Sequence, residues 1–206
     1  MRRLAVSFVV VAALLGACGG KDKPPRDTTT GDTAVTQPGL SYYDGPPPWP
    51  LAGQQFQRIQ AAGLEGYKAE SLVVHFHAHL DVFYDGQPVK VPASVGIDYD
   101  AQRISPMHTH ADSGVIHIEA NQDATFTLGQ FLSEWGVKVK GACVADKCGD
   151  EVAVFVNGSI QDMPAPDLVI HAGNEIALVL GTQPPDIPST YDCKAEAPDT
   201  TLCPPR

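Results

Sequence analysis

Six of the seven histidines in this chain lie between His75 and His117, and they are patterned. His75, His77 and His79 alternate in HFHAH, His108 and His110 sit in MHTH, and His117 sits in VIHIE. In an extended strand every second side chain points to the same face. Imidazoles crowded on one face repel each other when protonated and make a poor core when neutral and unpaired. A transition metal removes both difficulties, because neutral imidazole is its commonest protein ligand. The pattern predicts a copper or zinc site on a β scaffold, with His75, His77, His79, His108, His110 and His117 as the ligands.

Strand geometry limits that site. Residues i and i+2 are separated by roughly 6.5 to 7 Å along a strand. Metal–nitrogen bonds are only about 2.0 to 2.1 Å. HFHAH therefore supplies one converging pair, and its third histidine joins a second site, an outer shell or a bulge. The completing ligands are expected from MHTH and His117, at the start of and within another strand. Asp81, Asp112 and Glu119 are candidates to orient imidazole N–H groups, and Met107 and His171 are further supporting candidates. Each has a plainer reading: the acids as solvated surface groups, Met107 as core filling, His171 as a structural residue before a turn.

Two histidines on one strand with a third from a neighbour resemble the zinc arrangement of α-carbonic anhydrases, over this local pattern alone. The HTH pair is similar to part of the cupin motif, but the spacing of glutamate and glycine after His110 departs from it. A type 1 copper centre needs a cysteine ligand, and the cysteines are better read as disulfides. Ser113-Gly114 lacks a nucleophile elbow, and no phosphate loop or dinucleotide glycine pattern is present.

The N-terminus reads as a processing signal. Arg2 and Arg3 precede an apolar run, Leu4 to Leu15, too short for a permanent transmembrane helix. The run ends in Leu15-Gly16-Ala17-Cys18, which resembles a bacterial lipobox. The resemblance implies a signal peptide over 1–17 and a lipidated Cys18 that anchors the mature chain to a membrane. The protein would then face outside the cytoplasm in the cell envelope, on the outer membrane in a Gram-negative source, since Gly19 rather than Asp follows the cysteine. Residues 18–48, rich in Gly, Pro, Thr and Asp, read as a disordered tether. The remaining cysteines, Cys143, Cys148, Cys193 and Cys203, are even in number, as suits an oxidising compartment. Short loops favour the pairs Cys143–Cys148 and Cys193–Cys203. The formal charge is −10, and loss of residues 1–17 removes two arginines and no acid. This argues against a nucleic-acid partner.

The elements that must position the histidines lie in one domain, 49–191, followed by a disulfide-stapled tail, 192–206. A short helix is expected over Ala52–Ala62, stopped by Gly63, and another over Leu128–Trp135, capped by Thr127. Strands are expected over Ser71–Tyr84, Gln87–Val95, Gly114–Ala120, Glu151–Val156, Ser159–Met163 and Ile176–Leu180. Asp85-Gly86 and Asn157-Gly158 read as hairpin turns. Pro88 and Pro92 make the second strand an edge or irregular one. The expected class is mostly β (α+β): an antiparallel sheet built from hairpins with one or two short helices, β-grasp-like, the alternatives being a cupredoxin-like sandwich or a small barrel. The layout HFHAHLDVFYDGQPVKVP, SPMHTHADSGVIHIE and TLGQFLSEWG resembles an exported, His-rich bacterial protein family of unassigned activity.

The functional expectation is a membrane-tethered, extracytoplasmic copper- or zinc-binding protein. It would buffer, sense or deliver the ion, with a protein partner for transfer. Two alternatives are a zinc-dependent hydrolase or hydratase and a lipoprotein that binds a partner in response to pH.

Overall fold

The alternation in VHFHAHLDVFY produces one long strand, β1 (Val74–Tyr84). Its even-numbered residues Ala78, Leu80 and Val82 are buried, and its odd-numbered residues include the three histidines. The computed structural model describes residues 39–70 and 73–192, all within the compact unit Asp32–Arg206. The lipobox with Cys18, the tether as far as residue 38, and Cys193 and Cys203 lie outside the described residues.

Six further strands join β1: β2 (Gln87–Val89), β3 (Met107–His108), β4 (Val115–Ala120), β5 (Val152–Val156), β6 (Ser159–Ile160) and β7 (Glu175–Leu180). They form a seven-stranded sheet in the order β6-β5-β7-β1-β4-β3, with β2 also paired to β1. Asp85 and Gly86 both take positive φ, 47° and 80°, as the β1–β2 hairpin turn requires. Asn157 and Gly158 do the same between β5 and β6.

The fold is α+β and mostly β, as expected, but the sheet is mixed. β1 and β7 run parallel from His79↔Glu175 to Tyr84↔Leu180. A parallel pair needs a long crossover connection, which hairpin signals along a sequence do not reveal. The order β2-β1-β7-β5-β6 with a parallel central pair is β-grasp-like, and the sheet does not close into a barrel. Several strands are shorter than expected. β2 stops at Val89 rather than Val95, and Pro92 beyond it has no N–H to extend a ladder. β6 ends at Ile160 rather than Met163. MHTH is not the start of the strand holding His117: Met107 and His108 form the separate strand β3, antiparallel to β4.

Helix α1 (Gln55–Ala61) is shorter than the expected Ala52–Ala62. Helix α2 (Leu128–Trp135) falls where expected. The Thr127 hydroxyl accepts from the Gln130 N–H at 3.3 Å, and the Gln130 side chain accepts from the Thr127 N–H at 3.0 Å. This capping box satisfies two donors that a helix start leaves open. Leu128, Phe131, Leu132 and Trp135 share one apolar core with Ala78, Leu80 and Val82 of β1, Ile116 and Ile118 of β4, and Ile176, Leu178 and Leu180 of β7. Full burial of an aliphatic or aromatic side chain contributes about 1.5 to 3 kcal/mol, so this face holds the sheet in register.

The opposite face of β1 changes character along its length. Its first half carries the histidines. Its second half carries Phe83, which packs on a small cluster of Phe155, Ala177 and Val179. Cys143 and Cys148 form the expected disulfide, in a small ladder outside the main sheet.

Replacing Thr127 by Ala is expected to cost about 1 kcal/mol through loss of the cap. The check is urea denaturation, with a lower midpoint at an unchanged slope.

Candidate metal centre

His77, His117 and His108 stand in a single row across three adjacent strands. His77 of β1 is opposite His117 of β4, and His117 is opposite His108 of β3. Adjacent strands lie about 4.7 to 4.9 Å apart, and directly paired residues share a face. The ring centroids are accordingly 4.4 Å apart for His77 and His117, and 5.5 Å for His117 and His108. The next row places His75 opposite Glu119. His75 Nε2 is 3.2 Å from Glu119 Oε1, and His117 Nδ1 is 3.8 Å from the same oxygen. His110, just past the end of β3, brings its Nε2 to 3.2 Å from His108 Nε2. It also lies 3.5 Å from Glu70 Oε1. Five imidazoles and two carboxylates thus converge on one patch.

The interior of that patch is buried and poorly paired. His77 is 1 % exposed, and both its ring nitrogens lack a hydrogen-bond partner. His117 Nε2 and Glu119 Oε2 are buried without a partner as well. An orphaned buried polar group costs about 1 to 3 kcal/mol, so several in contact are costly, and a cation that accepted their lone pairs would remove part of that cost. His108 shows how a ring here presents a lone pair. Its Nδ1 lies 3.0 Å from the Ser105 carbonyl oxygen. A carbonyl only accepts, so Nδ1 carries the hydrogen and the Nε2 of the neutral ring presents a lone pair. Anchoring one ring nitrogen in this way is the usual support of a metal-bound histidine.

Burial sets the charge state. It pushes His77 down to about 4, aided by the neighbouring His75 and His110. It pushes His108 down to about 3 against the opposing bond to Ser105. It pushes His117 down to about 3, with His77, His108 and His110 adding to the effect. These three rings are neutral at pH 7, the form that binds metal. Burial, with Glu70 adding to it, raises Glu119 to about 7.

The donors fit a transition ion. His75, His77 and His117 offer ligand atoms within 4.8 Å of one another, as do His108, His110 and His117, and Glu70, His108 and Glu119. Ligand atoms about 2.0 to 2.1 Å from a tetrahedral ion are about 3.3 Å apart, so small side-chain rotations close any of these sets.

The structure sorts the other candidates. His79 is one register step beyond His77 and groups with Asp81 and Glu175 instead. Met107 does not support the centre. It sits next to His108 on a strand, faces the opposite way and is fully buried in the main core. Asp112 is exposed and pairs with Lys90. His171 is exposed at a turn in which its N–H donates to Asn174 Oδ1 at 2.9 Å. Two acids escaped the sequence reading. Glu70 reaches His110 from outside the strand pattern and left no signal. Glu175 begins the apolar run EIALVL, where a buried acid at the head of an interior strand is itself a signal.

No protein-family model matches the chain, and no curated protein or solved structure is significantly similar to it.

The depressed imidazoles give a direct pH prediction for the metal-free protein. Groups whose pKa falls on folding contribute stability above about pH 6.5, and that stability is lost as pH drops toward their folded values. Glu119 acts in the opposite sense: its contribution is present below its unfolded value near 4.5 and is lost as pH rises through about 7. Ring-nitrogen NMR shifts of His77, His108 and His117 are expected to stay at their neutral values from pH 8 down to about 5.5. Protonation of all three near 6.5 would contradict the buried, neutral cluster.

Proposed function

We propose that this chain is an extracytoplasmic metal-binding protein, tethered to a membrane through Cys18, that holds copper or zinc. His75, His77, His108, His110 and His117 would be its ligands, with Glu119 beside them. The observation that carries this reading is the row His77–His117–His108. Three strands deliver buried, neutral imidazoles to one place, with orphaned nitrogens facing inward. Imidazole-rich, thiolate-free ligation suits Cu(II) and Zn(II), and the Irving–Williams order favours copper where both are available. A path for the ion is supported by the gradient of exposure: the His110 side chain is 43 % exposed and that of Glu70 49 %, while His77 and His108 are buried. An exposed ligand at the mouth and buried ligands behind it suit capture and hand-over to a partner, and the acidic surface would concentrate cations. Buffering, sensing or delivery of the ion is the role this reading assigns.

One observation favours a second reading, a zinc-dependent hydrolase or hydratase. Glu119 is held near neutrality beside the imidazoles, where a general acid–base works best. Under this reading the zinc-loaded Glu119→Gln protein keeps its metal and loses at least tenfold of any hydrolytic activity toward an activated ester.

The main reading predicts that His77→Ala together with His110→Ala lowers bound copper by about tenfold or more after purification without chelators. Elemental analysis measures this, and circular dichroism checks that the fold is kept. Added copper should raise the melting temperature of the wild type and not that of the variant, since a ligand stabilises only the state it binds. Unchanged metal content in the double variant defeats the proposal.

A further inference from the structure

We infer that His79, Asp81 and Glu175 form a second cation site, separate from the five-imidazole centre, that takes a divalent ion of the zinc or manganese class. The site lies on the β1–β7 side of the sheet. His79 is opposite Glu175 on β7, whereas the five histidines of the first centre lie toward β4 and β3. Asp81 is the next residue of β1 on the same face.

The ring of His79 is held from behind. Its Nε2 lies 2.8 Å from the Ser113 carbonyl oxygen, which can only accept, so Nε2 carries the hydrogen. Gly114 makes this approach possible. It has φ +86°, and a Cβ there would stand 2.8 Å from His79 Nε2 and 2.6 Å from the Leu80 oxygen. The anchor turns Nδ1 toward the acids. That nitrogen is 3.2 Å from Glu175 Oε1, 3.0 Å from Glu175 Oε2 and 3.8 Å from Asp81 Oδ2. The arrangement matches His108 on Ser105 in the first centre: a backbone carbonyl fixes one nitrogen, and the other faces the ligand set.

A proton alone leaves this group unbalanced. One N–H serves one oxygen well, and three oxygens surround Nδ1. The Glu175 side chain is 1 % exposed, and its Oε2, although 3.0 Å from Nδ1 in the ion pair, makes no hydrogen bond, since that ring nitrogen bonds Oε1. Tyr191 stacks on the His79 ring at 5.2 Å, and its buried hydroxyl also lacks a partner. Two carboxylates around one imidazole carry two negative charges against at most one positive, beneath an aromatic cover. A divalent cation balances them and uses the idle oxygen. His79, Asp81 and Glu175 offer ligand atoms within 4.8 Å of one another. One imidazole with two carboxylates is a harder donor set than five imidazoles, and it suits zinc or manganese better than Cu(I).

The test starts from the His77→Ala/His110→Ala protein, in which the first centre is disabled. It is titrated with Zn(II) by calorimetry and with Mn(II) by loss of the free-ion electron paramagnetic resonance signal. One equivalent should still bind. Adding Asp81→Asn and Glu175→Gln should weaken that binding by tenfold or more, with circular dichroism confirming the fold. Should the buried Glu175→Gln disturb folding, Asp81→Asn alone, at a half-exposed position, should give the same direction. Absence of any bound equivalent in the starting protein, or binding indifferent to both acid substitutions, overturns the inference and leaves a closed imidazolium–carboxylate pair. Failure of the five-imidazole reading looks different. The wild type would then bind a single equivalent, His77→Ala/His110→Ala would keep it, and the acid substitutions would remove it.

Discussion

The register of β1 against β4, and of β4 against β3, is the constraint on which the rest depends. It aligns His77, His117 and His108 in one row. Side-chain direction alternates along each strand, so a slip of one residue would send the imidazoles into the main core and Ala78, Ile116 and Met107 toward the opposite face. The apolar layer formed by these strands with α2 therefore specifies the polar face as firmly as it specifies itself. Met107, buried beside His108, shows how closely the two faces are tied.

That polar face is held at a cost. Buried rings with unpaired nitrogens destabilise a fold, and the lowered affinity of His77, His108 and His117 for protons is the electrostatic expression of that cost. The core on the other side of the sheet offsets it. Natural folds break the rules of burial mostly at functional sites, and His77, His117 and Glu119 together hold four buried side-chain atoms without a hydrogen-bond partner.

The three histidines of HFHAH separate because β1 changes partners along its length. It pairs antiparallel with β4 from Val74 to His79 and parallel with β7 from His79 to Tyr84. Of the three histidines, His79 is the one with a strand partner on both sides, Val115 and Glu175. His75 and His77 look toward β4 and its histidine, while His79 sits where β7 delivers an acid. One strand thereby carries two donor sets of different hardness.

Much of this was legible along the chain. Alternation in HFHAH and VIHIE marked the polar faces, Thr127 marked the start of α2, and Asp85-Gly86 and Asn157-Gly158 marked two hairpins. These signals are local, set by neighbouring residues and by backbone conformations that few residue types adopt. The spacing of HFHAH also showed that three histidines on one strand could not all meet one small ion. Tertiary structure alone decided the parallel pairing of β1 with β7, the shared row of His77, His117 and His108, and the arrival of Glu70 and Glu175. Those contacts join residues far apart in the chain. They are selected by the burial of a common apolar face, which acts on the whole sheet at once rather than between neighbours in the chain.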